Sequence, residues 1–298
     1  MRDRVDLNTV KFFCVSDINY LEPTYVTLSS YFKYNTHEVT LYTAGIADEQ
    51  LTRFKKFDNL KIESLEVIDI PKRRDYEYYH DSINFISAKI YILDSIKDKY
   101  KYALCFDTDT IFTGNIEEVF NDLDTEAELQ GIDERWTSRY WSRFEYRTVP
   151  YLNVGFLITK LGYTENLLDN YLKFLTSDKD IMLPEQDFLN DHFKKRTTID
   201  NKYNLLICFH NLPKHDANDI RFLHFNSSIK PFRMARTADL FSMIAKFTET
   251  FIPTFDLYYD YIKTLDVSDE FRAKCETINK QLNVFRHIRR RIKNDTKS

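Results

Sequence analysis

Residues 103–112 read Ala103-Leu-Cys-Phe-Asp107-Thr-Asp109-Thr-Ile-Phe112, an apolar run that ends in two acids one residue apart. A short apolar run closed by polar residues describes a buried strand. In open α/β folds, ligands bind in the crevice beyond the carboxyl ends of such strands, so Asp107 and Asp109 are the first candidates for chemistry. Two hard carboxylate oxygens there suit Mg²⁺ or Mn²⁺, with phosphate oxygens completing the shell. The same spacing recurs at Asp122/Asp124 and Asp178/Asp180. Those pairs lie in polar, turn-like stretches where acids serve as caps.

Outward from this run the chain alternates strands and helices. Strands are expected at Val10–Ser16, Glu38–Tyr42, Leu65–Ile70, Leu129–Ile132, Leu152–Thr159, Leu205–Phe209 and Arg221–Phe225, each a short apolar or β-branched run. Helical spacing marks Tyr25–Tyr34 and Ile83–Ile96, and a further helix is expected after Asn115 from Ile116, Val119, Phe120 and Leu123. After residue 237 the pattern is helical to the end. The fold class this implies is α/β, a sheet covered by helices with a helical tail. The expected units are a catalytic domain over residues 1–237 and a helical region over 238–298.

Composition removes several function classes. Glycine is scarce, five in 298 residues, against about 7% in average usage. Gly45, Gly114, Gly131, Gly155 and Gly162 form neither GxGxxG nor GxxxxGK[ST], so glycine-rich dinucleotide and P-loop sites are excluded. Any phosphate must be held by side chains or a metal. A formal charge of −4 gives no global basic field and argues against nucleic acid. The exception is the end, where Arg286, Arg289, Arg290, Arg291 and Lys293 accompany Val284, Phe285, Ile288 and Ile292. That pattern fits either peripheral contact with a membrane surface or a solvated last helix. Cys14, Cys105, Cys208 and Cys275 have no zinc spacing and read as reduced thiols. With no apolar span and a polar start, the expected location is cytoplasmic.

Asp107-Thr-Asp109-Thr110 also fits the DxDx[TV] nucleophile loop of haloacid-dehalogenase-like phosphatases. In that family the motif normally follows the first strand of the core, whereas several strand-helix units precede it here. A later acidic pair is also expected there, and this chain has no Asp-Asp dipeptide.

Over residues 10–232 the chain resembles glycosyltransferase family 8, the group that includes glycogenin and bacterial lipopolysaccharide galactosyl- and glucosyltransferases. Phe12-Phe-Cys-Val-Ser16-Asp17-Ile-Asn19-Tyr20 resembles the family's nucleotide-binding start. Lys89 resembles the basic residue on the helix before DxD, and Asn115-Ile-Glu-Glu-Val-Phe resembles the segment after it. Leu152-Asn153-Val154-Gly155-Phe156 is similar to "FNAGV", and Pro184-Glu185-Gln186-Asp187-Phe-Leu-Asn190 to "PDQDxLN". His224-Phe-Asn-Ser227-Ser-Ile-Lys230-Pro231-Phe232 is similar to "HxxGxxKPW". Glu185, Ser227 and Phe232 depart from the family's Asp, Gly and Trp.

The resemblance implies a GT-A, Rossmann-like nucleotide-sugar fold and a retaining transfer of a hexose, galactose or glucose, from a UDP-sugar to a glycan or glycolipid. It implies metal ligands Asp107, Asp109 and His224, the last needing its neutral imidazole. Donor contacts are implied for Ser16, Asp17, Asn19, Tyr20, Lys89, Thr108, Ser227 and Lys230. Gln186, Asn153, Glu185 and Asp187 are implied near the transferring sugar, with Gln186 beside the anomeric carbon and Asn153 on the donor. Gly155 is expected to let a donor or neighbouring backbone approach. The aromatic stretches Tyr76–Asp81 and Arg135–Tyr146 either line an acceptor groove or pack loops on the core. The three departures also admit a binder of nucleotide sugar or glycan without turnover.

Overall fold

The run before Asp107 is strand β4 (Tyr102–Phe106), buried along its whole length. It lies in a computed structural model that describes residues 5–65, 87–134, 150–179, 181, 183–206, 219–226, 230–233 and 254–295, the side chains of 284–295 excepted. The chain enters on β1 (Val10–Asp17), whose apolar run Phe12–Val15 suits a strand covered on both faces. Asp17 then caps a single 3₁₀ turn, and helix α1 (Leu21–Tyr34) follows with Glu22 in its first turn and Lys33 in its last, charges that complement the helix dipole. β2 (Val39–Ala44) and β3 (Leu60–Ser64) extend the sheet to one edge. Helix α2 (Ala88–Ile96) leads into β4.

β6 (Leu129–Asp133), β7 (Leu152–Lys160) and β8 (Arg196–Thr198) complete a seven-stranded sheet of order β3-β2-β1-β4-β7-β6-β8. The first four strands in that order are parallel, and β7 runs antiparallel to both β4 and β6. The order turns back between β1 and β4, which makes a switch point where the carboxyl ends of two parallel strands open a crevice. Asp17 ends β1 and Asp107 follows β4, so both border that crevice. Helices α3 (Leu167–Leu175) and α4 (Pro184–His192) pack on the β7 side.

A second sheet begins where the first ends. β5 (Thr110–Phe112) pairs antiparallel with β10 (Phe222–His224), which pairs with β9 (Leu205–Leu206). The acid pair is therefore the link by which the chain leaves one sheet and enters the other. Phenylalanines join the two: Phe106 meets Phe112 at 5.1 Å, Phe112 meets Phe222 at 4.8 Å, and Phe222 meets Phe156 at 5.0 Å between centroids. All four are buried, each worth about 2–3 kcal/mol on transfer from water.

Several expected elements differ. The helix after Asn115 is one 3₁₀ turn, Glu117–Asn121. Its start is held by side chains, with Ile116 N donating to Asn35 Oδ1 at 2.8 Å and Glu117 N to Asn115 Oδ1 at 2.7 Å. β3 ends at Ser64, and all but Leu65 of the strand expected over Leu65–Ile70 lies outside the described residues. Arg221 and Phe225 flank β10 without belonging to it. Helices α3 and α4 were not expected.

At the C-terminus, a helix over residues 254–262 (α5) and the long α6 (Asp269–Asp295) share the core of α1 and the second sheet. Phe255 and Tyr258 pack on Phe225, and Phe271 packs on Phe232. The expected boundary at 237 lies outside the described residues. Among the described residues no helix is long and apolar enough to cross a membrane. Cys14, Cys105 and Cys275 are free and buried.

Candidate active site

Strand register builds the site. β10 pairs with β5 so that His224 stands opposite Thr110, the residue after Asp109, and Phe225 N donates to Asp109 O at 3.0 Å. The imidazole consequently faces both acids, its Nε2 lying 3.5 Å from Asp107 Oδ2 and 3.4 Å from Asp109 Oδ1. The ligand atoms of Asp107, Asp109 and His224 all lie within 4.8 Å of one another. Two carboxylate oxygens and one imidazole nitrogen are a fitting donor set for Mn²⁺ or Mg²⁺.

Each carboxylate has its second oxygen on a lysine. Lys89 Nζ, from α2, donates to Asp107 Oδ1 at 2.6 Å and to Val154 O at 3.0 Å. Lys230 Nζ donates to Asp109 Oδ2 and, at 3.0 Å, to Phe225 O. Burial works against both ammonium groups, but Asp107 and Asp109 outweigh it and hold them charged above the ordinary lysine range. Burial likewise opposes the Asp109 carboxylate, yet Lys230 and His224 keep its pKa below the usual carboxylate range. The oxygens facing His224 are left for a cation.

Gly155 explains how His224 comes so close. A Cβ on Gly155 would stand 2.0 Å from His224 Cε1. The protein neighbour that needs the bare Cα is thus the imidazole ring rather than neighbouring backbone. The Gly155 carbonyl also accepts from Asp107 N at 2.8 Å.

On the β7 side, the structure gathers Asn153, Glu185, Gln186 and Asp187. Asp187 accepts from Tyr151 OH at 2.5 Å and from Leu183 N at 2.9 Å, so both its oxygens serve α4 and β7. Glu185 is buried, its Oε1 is without a hydrogen-bond partner, and Lys89 Nζ lies 3.6 Å away. Burial pushes its carboxyl up to about 7, with the Lys89 charge opposing this only in part. Asn153 directs Nδ2 at Glu134 Oε2 (3.1 Å) and Gln186 Oε1 (3.5 Å), while its Oδ1 accepts from Gly155 N (2.9 Å) and Asn204 Nδ2 (3.1 Å). An amide has two donors and two acceptor positions, and each of those of Asn153 has a protein neighbour. Glu134 and Asn204 were missed from the sequence, where no motif surrounds either.

Near the crevice mouth, Asp17 accepts from Tyr20 N at 3.0 Å and Asn19 is exposed beside it. The Tyr20 ring meets Phe232 edge-on at 5.9 Å. Ser16 and Thr108 are buried: Ser16 Oγ accepts from Thr24 Oγ1 at 2.7 Å, and the Thr108 carbonyl accepts from Thr27 Oγ1 at 2.9 Å. Ser227 and both aromatic stretches lie outside the described residues.

Glu185 yields a pH prediction. Its folded pKa lies above the ordinary 4.5, so between pH 4.5 and 7 the native state binds the proton that the unfolded chain has released. Stability from this group is full below pH 4.5 and declines as pH rises through 7. A rise of this size is worth on the order of 3 kcal/mol. Metal-free Glu185→Gln should therefore be more stable than the parent chain at pH 8 and lose that advantage at pH 5. Urea unfolding at both pH values checks it, and a pH-independent difference would contradict it.

The family model described as glycosyl transferase family 8 matches residues 12–235. A search of curated protein sequences returns no match. Among solved structures, the galactosyltransferase LgtC in complex with donor and acceptor sugar analogues superposes with a TM-score of 0.64 at 15% identity, covering 89% of this chain and 99% of that one. The glycosyltransferase GlyE of Streptococcus pneumoniae TIGR4 gives 0.59 at 16% identity over 90% of this chain and 63% of that one. The bifunctional WbbM gives 0.63 at 12% identity over 91% and 52%. At these identities the structures show a shared fold, the GT-A fold.

Proposed function

Because the chain belongs to glycosyl transferase family 8, we propose that it moves a hexose, galactose or glucose, from a UDP-sugar to a hydroxyl of a glycan or glycolipid with retention of anomeric configuration. The observation that supports this most is the β5–β10 register, which turns His224 Nε2 onto Asp107 and Asp109 at 3.5 and 3.4 Å.

Breaking the anomeric C–O bond leaves negative charge on the β-phosphate. Asp107, Asp109 and His224 would hold Mn²⁺ or Mg²⁺, which would supply Lewis-acid stabilisation of that charge. Lys230 adds a fixed cation beside it, and Lys89 holds Asp107 in place from behind. With the leaving group stabilised in this way, no strong general acid is needed. Asp17, Asn19 and Tyr20 border the crevice where uridine would lie.

Of the two acids on α4, Glu185 has the oxygen that takes no hydrogen bond, 3.6 Å from Lys89, and is the better holder of a donor hydroxyl, while Asp187 keeps α4 seated. The sequence offers no clear nucleophile and acid/base pair of carboxylates of the glycosidase kind. The acceptor therefore attacks on the face the leaving group vacates, through an oxocarbenium-like ion pair near Gln186.

Family membership removes the ground for the phosphatase alternative. A binder without turnover remains the contrasting reading, and the intact Asp107, Asp109 and His224 cluster speaks against it. A panel of UDP-sugars incubated with Mn²⁺ decides: one UDP-hexose should release UDP slowly without acceptor and stop doing so on chelation. UDP binding with no release from any donor would identify the binder.

A further inference from the structure

Glu134 directly follows β6 and is 6% exposed. Its Oε2 accepts from Gln186 Nε2 at 2.7 Å and from Asn153 Nδ2 at 3.1 Å. The amide oxygens of those two residues face donors instead: Val154 N reaches Gln186 Oε1 at 3.2 Å, and Gly155 N reaches Asn153 Oδ1 at 2.9 Å. Turning an Asn or Gln amide by half a revolution exchanges oxygen and nitrogen, and only the surrounding donors and acceptors choose between the two states. A carboxylate accepts and never donates, so Glu134 demands the NH₂ group of both amides at once.

We infer that Glu134 is a positioning residue, whose carboxylate locks the Asn153 and Gln186 amides in one orientation and, through Asn153, holds the Gly155 peptide on which the metal ligands rest. The path is short. Asn153 Oδ1 fixes Gly155 N, the Gly155 carbonyl receives Asp107 N at 2.8 Å, and the bare Gly155 Cα seats the His224 ring. A turned Asn153 would set its NH₂ against the Gly155 N–H, leaving that buried donor unpaired and pushing on the peptide beneath His224. A half-satisfied buried network costs more than a complete one, so a single change at Glu134 disturbs both amides.

The activity arm of the test rests on the transferase reading. In the full chain, Glu134→Gln keeps the volume and lets the side chain donate. With Mn²⁺ saturating, donor hydrolysis should lose about tenfold or more in kcat while the Kd for UDP at the same Mn²⁺ concentration stays within about twofold. Unchanged kcat, or an equal loss in both quantities, overturns the inference.

A second arm needs no activity. Gln186→Glu places two acceptors against each other and should lower the melting midpoint at pH 8, and adding Glu134→Gln should restore most of the loss because the pair is complementary again. Losses in melting midpoint that simply add overturn the inference. If the two changes couple but the parent chain binds no UDP, the transferase reading fails and the positioning role of Glu134 stands.

Discussion

Gly155→Ala is expected to abolish metal-dependent donor hydrolysis in a chain that still folds. The Gly155 backbone does not lie in the left-handed region, so alanine meets no conformational strain there, and the whole effect comes from contact. An added methyl would lie 2.0 Å from His224 Cε1 and 2.5 Å from Nδ1, distances that no side-chain relaxation absorbs without moving the ring. His224 is 3% exposed and fixed by the β5–β10 pairing. Its one way out is to swing from Asp107 and Asp109. Loss of one of three ligands should weaken Mn²⁺ by about tenfold or more, and hydrolysis by about 100-fold or more. Manganese titration followed by paramagnetic resonance checks the first figure. Unaltered Mn²⁺ affinity in a folded Gly155→Ala chain would contradict the placement of His224.

Asp109→Asn is the second large effect. The carboxylate lies between Lys230 and His224, and their charges hold its pKa below the ordinary range despite burial. The amide keeps the shape but removes the charge that both a divalent cation and Lys230 require. Donor hydrolysis should fall by about 100-fold to 1,000-fold. Stability should change as well, because a buried cation stripped of its partner costs about 3–5 kcal/mol. A carboxyl with a lowered folded pKa contributes stability above its unfolded value that is lost as pH falls through the folded one. The advantage of the parent chain over Asp109→Asn should therefore begin to shrink as pH falls below 3.8 and be smaller at pH 3 than at pH 7. Hydrolysis assays and urea unfolding at pH 7 and pH 3 measure the two consequences. Full activity in Asp109→Asn would remove the metal from the scheme.

The parts of this site that sequence reveals are those whose chemistry is local. Asp107 and Asp109 end a run that can only be a buried strand, and His224 ends another. Glu134 escaped notice because its partners Asn153 and Gln186 come from β7 and α4, and nothing in the surrounding residues marks a carboxylate turned inward. Helix α4 was illegible for a related reason. It buries Glu185, Gln186, Asp187 and Asn190 as well as Phe188 and Leu189, so the apolar stripe that announces a packed helix is missing. The second sheet is made of strands two or three residues long, too short for a period of two to show. Gly155 was visible as a glycine beside Asn153, but the ring it admits is set by the pairing of β10 with β5, both more than forty residues away.

The central claim is that Asp107, Asp109 and His224 hold a divalent cation through which a nucleoside diphosphate is bound. Each carboxylate already spends one oxygen and its charge on a lysine, so a cation entering with a diphosphate restores balance better than a cation alone. The most direct measurement is a Mn²⁺ titration of the parent chain, followed by paramagnetic resonance, with and without UDP. The account predicts a single Mn²⁺ site that tightens about tenfold or more when UDP is present. Mn²⁺ affinity indifferent to UDP, or UDP binding unchanged by chelation, would contradict it.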